Sequence, residues 1–108
     1  MIPDILLDRY GAYKIALKKK EILFHIDTQP RYYFQVLSGK VKMNNYSKDG
    51  KEYIQGIFPP GSSFGEPPLF QDLDYPAQAE AVEDAEVWKL EKSKFLQLLK
   101  EHPEVHLE

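Results

Sequence analysis

Residues 31–58, RYYFQVLSGKVKMNNYSKDGKEYIQGIF, read as three consecutive strands. Residues 31–38 are aromatic, β-branched and apolar on both faces, which predicts a buried strand. Ser38-Gly39 makes a tight turn out of it. In the next strand, residues 41–46, Val41 and Met43 alternate with Lys40, Lys42 and Asn44. One face therefore points inward and the other outward. Ser47-Lys48-Asp49-Gly50 ends in Asp-Gly, a hairpin signature, and residues 51–58 return as the partner strand. Pro59-Pro60-Gly61 forces another turn.

The same rhythm continues on both sides. Residues 13–17 and 21–24 are short strand candidates, and residues 77–82 and 86–90 form a last pair around Glu83-Asp84. Residues 3–10 place Ile5, Leu6 and Arg9 at helical spacing, with Gly11 as a stop. Residues 92–101 put Phe95, Leu98 and Leu99 on one helical face, and Pro103 ends that helix. About eight short strands with a helix at each end predict a mainly β fold: an antiparallel β-roll or jelly-roll barrel. No stretch reads as a βαβ unit, which argues against a dinucleotide-binding fold.

The chain has 108 residues, one domain's worth, and 43% of them are hydrophobic, enough for a core. The expected domain spans 1–106, with 107–108 as a cloning remnant. A net charge of −3 speaks against a nucleic-acid surface on this piece. The absence of cysteine excludes disulfides and thiolate metal sites. No apolar run approaches transmembrane length, and the acidic N-terminus is unlike a signal peptide. The expected location is the cytoplasm, with no membrane partner.

Chemistry concentrates in residues 64–81, FGEPPLFQDLDYPAQAEA. Gly65 lets the backbone approach a ligand closely. Glu66 offers an acceptor for a sugar hydroxyl. A short helix beginning there would aim free N–H groups at an anion. Pro67 and Pro68 suit a first helical turn, but they carry no N–H. No Arg or Lys lies anywhere between Gly65 and Ala81.

Over residues 18–104 the chain resembles the cyclic nucleotide-binding domain, specifically the sensor half of Crp/Fnr-family transcription regulators. The resemblance rests on YYFQVLSGKVKM, on KDGKEYIQGIFPPGSSFGE, on the cassette opening at Gly65, and on the closing AVEDAEVWKLEKSKFLQLLKEHPE. It implies a β-roll flanked by helices. In that family the glycine and glutamate of the cassette hold the ribose, and Gly65 and Glu66 match. The family grips the cyclic phosphate with a backbone amide two residues after the glutamate, an arginine, and the amide that follows the arginine. Those places hold Pro68, Tyr75 and Pro76.

Both amides and the guanidinium are thus absent together. A hydrogen bond to a charged group contributes about 1.5–3 kcal/mol, and arginine–phosphate pairs are among the strongest. Losing three such contacts weakens binding by roughly 4–8 kcal/mol if they add, on the order of a thousandfold or more. The candidate pocket is Gly65, Glu66, Pro68, Tyr75, Pro76 and Ala77. The expectation is an effector-sensing domain for which cAMP is a weak or absent ligand, with no cofactor. Tyr75 is expected either to contact a ligand or to close a vacant pocket as an aromatic lid. The resemblance further implies a homodimeric intact protein that reaches DNA only through a C-terminal helix-turn-helix domain. This piece alone would then be monomeric and would not bind DNA. The alternatives are a non-sensing interaction and dimerisation module, or a regulatory domain of a kinase or channel.

Other features have plainer readings. Lys18-Lys19-Lys20 is a solvated loop, and Tyr32-Tyr33-Phe34 and Trp88 are core or wall residues. His25, His102 and His106 are dispersed, so no metal site is expected. Ser62-Ser63 are turn residues, and no nucleophile–base set points to an enzyme.

Overall fold

A computed structural model describes residues 1–105. The assignment of 107–108 as a remnant, the final residue of the 1–106 domain and His106 lie outside the described residues. Helix α1 (Asp4–Arg9) leads into β1 (Tyr13–Leu17), β2 (Ile22–Phe24), β3 (Tyr32–Ser38), β4 (Val41–Tyr46) and β5 (Glu52–Phe58). Then follow β6 (Ser63–Phe64), α2 (Glu66–Gln71), β7 (Gln78–Ala81), β8 (Ala85–Glu91) and α3 (Lys92–Glu101).

The strands form two four-stranded sheets, ordered β1-β8-β3-β6 and β2-β7-β4-β5. Every pairing is antiparallel. The fold is mainly β, as the turn spacing predicts. The sheets do not close into a barrel; they face each other as a roll.

Two cores result, and β3 serves both. Phe34 and Val36 point into the space between the sheets, with Phe24, Val41, Met43, Phe64 and Val87. Tyr33 lies on the opposite face, with Leu7, Leu69, Trp88, Leu90, Phe95 and Leu98, where the helices cover the first sheet. That is why residues 31–38 are apolar on both faces. A strand with helices on one side and a sheet on the other has no solvent face. Within this second core Gln35 is 1% exposed and anchors the N-terminus. Its Oε1 accepts the Ile2 N–H at 2.9 Å and the Tyr33 hydroxyl at 2.6 Å, and its Nε2 donates to the Ile2 carbonyl at 2.9 Å.

Three local readings need correction. Asn44 shares a face with Lys42 but is fully buried. Its amide donates to Glu52 at 2.5 Å and to Glu80 at 3.3 Å, and these carboxylates with Lys42 close over it. Ser63 is a strand residue rather than a turn residue, because β6 pairs Ser63 with Gln35 and Phe64 with Phe34. In α1 the buried positions are Leu6 and Leu7, while Ile5 faces water.

Gly39 is required where the β3–β4 turn meets the β7–β8 turn. It has φ +76, and a Cβ there would lie 2.4 Å from the Asp84 carbonyl oxygen.

Candidate functional site

The site grows out of the turn after β6. Gly65 caps α2 in the left-handed conformation, φ +77. A Cβ on it would meet the Tyr75 ring at 3.1 Å, so glycine is required by backbone and neighbour alike. Glu66, Pro67 and Pro68 make the first turn of α2, and Asp72 ends it in a second left-handed turn. The chain then passes through Leu73 and Asp74 to Tyr75. There the backbone pairs with the opposite loop: the Tyr75 N–H donates to the Thr28 carbonyl and the Asp27 N–H donates to the Tyr75 carbonyl.

An open-mouthed cavity of about 500 Å³ lies between α2, β5 and the segment leading to β7. Met43, Phe58, Phe64, Leu73 and the prolines Pro67, Pro68 and Pro76 form its apolar walls. Gln55, Glu66, Gln71 and Asp74 supply its polar side chains, with Gly65 between them. No lining residue is basic. Among the described residues, neither the Glu66 nor the Asp74 carboxylate takes a side-chain hydrogen bond or ion pair. Among the described residues, no cluster of His, Asp and Glu is placed to hold a metal ion.

Of the six candidates from the sequence, Gly65, Glu66, Pro68 and Pro76 line this cavity. Tyr75 and Ala77 do not. Both belong to the core between the sheets, with Tyr75 3% exposed and Ala77 fully buried. The Tyr75 ring stacks on Phe24 with centroids 3.6 Å apart and planes 8° from parallel. It is a filler behind Gly65 rather than a lid across the opening. Phe64, Pro67, Gln71, Leu73 and Asp74, within the 64–81 stretch but outside the six candidates, also line it. Met43, Gln55 and Phe58 come from outside that stretch, and of these only Met43, through its inward alternation, gave any signal.

Burial pushes the Tyr75 phenol above its ordinary value, and the nearby Glu66 charge adds to the effect. Burial does the same for Tyr33. A raised folded-state pKa leaves stability intact below about pH 10 and removes it as pH rises further. Each tyrosine adds up to about 1.4 kcal/mol of lost stability per pH unit in that range. Urea unfolding is therefore expected to show a steep alkaline limb above about pH 10, and Tyr75→Phe is expected to make it shallower.

On its other side α2 is tied to the C-terminal helix. Leu69 is buried in the helix-covered core, Phe70 meets Phe95 at 5.5 Å, and Lys92 pairs with Asp72 at 2.5 Å.

A model of the family described as "Cyclic nucleotide-binding domain" matches residues 14–102. The chain belongs to that family. Among solved structures, this cyclic nucleotide-binding domain is similar to the catabolite activator protein of Thermus thermophilus. The two are 28% identical with a TM-score of 0.80, over 93% of this chain and 46% of that one. It is also similar to a transcriptional regulator of Thermotoga maritima, at 25% identity and a TM-score of 0.83, over 96% of this chain and 80% of that one. Among curated proteins it matches the lysophospholipase nte1 of Aspergillus terreus, 26% identical over 109 aligned positions. That match covers the whole of this chain but only 7% of the fungal protein. The domain thus has the sensor fold of Crp-family regulators, and it spans less than half of the Thermus protein.

Proposed function

We propose that this domain is the effector-sensing part of a Crp/Fnr-like transcription regulator, and that its cavity does not hold a cyclic phosphate. The observation that carries this reading is the lining. The walls around Gly65 and Glu66 include two carboxylates and no basic side chain, and two prolines stand where amide donors belong to the family's grip. A cyclic diester entering there would give up its hydration and meet like charge. Glu66 remains able to accept a hydroxyl hydrogen bond.

The contacts of α2 supply a route outward. A ligand in the cavity presses on Pro67, Pro68 and Gln71, and the reverse side of the same helix carries Leu69, Phe70 and Asp72 against α3. A ligand favouring one placement of α2 thereby shifts α3, in proportion to its differential affinity for the two placements. The exposed Asp72–Lys92 pair contributes little energy, so the packing of Leu69 and Phe70 carries most of the coupling. In the intact protein α3 would pass this on to a dimer interface and a DNA-binding domain in the cytoplasm.

A thermal-shift measurement tests the reading. At 1 mM ligand, a site with a Kd of about 10 µM would be stabilised by about 2.7 kcal/mol, a rise on the order of 10–20 °C for a domain of this size. With cAMP or cGMP the expected rise is at most about 3 °C, the response of a site of millimolar Kd or weaker.

A second reading is a regulatory module within a larger protein of another kind. The end-to-end match to a small part of the fungal lysophospholipase favours it. The full-length gene decides between them: a helix-turn-helix downstream supports the regulator.

A further inference from the structure

We infer that the cavity between α2 and β5 takes an aromatic ammonium: a flat apolar body carrying one positive charge. This rests on the reading of that cavity as the effector site and specifies the chemistry of its occupant.

Three observations converge on it. The walls are Met43, Phe58, Phe64, Leu73 and prolines, a lining that favours burial of an apolar ring. The half-buried Phe58 ring packs on Phe64 with centroids 5.5 Å apart, so the two form one aromatic wall against which a planar group can lie. The only charged groups in the lining are Glu66 and Asp74, one at the start of α2 and the other just beyond its end. Neither is neutralised by a protein partner among the described residues.

Two uncompensated carboxylates in the lining of an apolar cavity draw cations and repel anions. An ammonium supplies three donors and no acceptor, and each carboxylate of the lining offers it an acceptor of opposite charge. A carboxylate or phosphate on the same skeleton would face acceptors only on the acidic side chains and would bring a second negative charge. The cavity thus selects by sign of charge as well as by shape.

The test uses one skeleton with three head groups: phenethylamine, phenethyl alcohol and hydrocinnamate, titrated calorimetrically into the protein at low ionic strength and neutral pH. The amine is expected to bind in the submillimolar range, the alcohol about threefold to tenfold more weakly, and the acid at least about thirtyfold more weakly than the amine. The double variant Glu66→Gln, Asp74→Asn changes partly or wholly exposed side chains and is expected to melt like the native protein. In it the amine should fall to within about twofold of the alcohol. The inference is overturned if the acid binds as tightly as the amine. It is equally overturned if the ranking survives in the double variant, or if none of the three binds. Failure of all three, with cAMP also silent, sinks this inference and leaves the exclusion of cyclic phosphate standing. Micromolar binding of cAMP sinks the underlying reading of the cavity itself.

Discussion

Tyr75→Ala is expected to lower stability by about 3–5 kcal/mol, as for other large aromatic truncations in a packed core. The side chain is 3% exposed and lies flat against Phe24 at 3.6 Å, with Gly65 behind it. Its removal leaves a hollow that the surrounding aromatics Phe24, Phe34 and Phe64 cannot fill without leaving their own contacts. At about 4–8 °C per kcal/mol for a domain near 100 residues, the melting temperature should fall on the order of 15–30 °C. Tyr75→Phe keeps the ring and removes only the hydroxyl, so it should melt within a few degrees of the native protein. Thermal and urea unfolding of the two variants check this. Equal, small losses in both would show that the ring is not part of the core.

Phe95→Ala has a comparable expected cost of about 3–5 kcal/mol, with a different distribution. Phe95 is fully buried, stacks on Tyr33 at 4.5 Å with planes 11° apart, and touches Phe70 of α2 at 5.5 Å. It is the main anchor of a ten-residue helix, too short to persist by itself in water. The loss should therefore concentrate in α3. Backbone amides of Lys92–Glu101 should exchange with solvent by local opening, while those of β3 and β8 remain protected. Phe95→Leu retains most of the buried volume and should cost about 1–1.5 kcal/mol. Hydrogen exchange resolved by residue distinguishes local release of the helix from uniform weakening of the domain. Uniform weakening would contradict the assigned anchor role.

Much of the fold was legible because alternation and turn chemistry agree in the sequence. The hairpin at Asp49-Gly50 and the turns at Gly39 and Gly61 punctuate strands whose limits follow the hydrophobic period, and β1, β4 and α3 fall on the predicted residues. Two-residue β6 carries no period, and Ser63 beside Gly61 looks like a turn, so only its pairing with β3 reveals it. Asn44 resembles a surface residue on a half-polar strand. Its burial depends on Glu52, across the β4–β5 hairpin, and on Glu80, brought in by the pairing of β4 with the distant β7.

The site divides in the same way. Gly65, Glu66, Pro68 and Pro76 share one cause, since one turn–helix–turn unit places all four at the cavity. The missing cations were visible directly, because an absence of Arg and Lys across residues 65–81 does not depend on register. For Tyr75 the two expected roles, contact with a ligand or a lid over the pocket, give way to packing in the core. Whether an aromatic ring before a proline covers a cavity or fills the core behind it is decided by the partner strand, here through Phe24 of β2. Met43, Gln55 and Phe58 come from β4 and β5, and no local motif ties those strands to the cassette. The carboxylate of Asp74 reads as an ordinary loop residue until the cavity beside it is seen.

We propose that this domain combines the cyclic nucleotide-binding fold, with Gly65 and Glu66 at its cavity, with a lining unable to grip a cyclic phosphate. Calorimetric titration of the protein with cAMP tests it most directly. No saturable heat should appear below about millimolar ligand, the consequence of losing roughly 4–8 kcal/mol of phosphate contacts. A one-to-one isotherm with a micromolar Kd would contradict it.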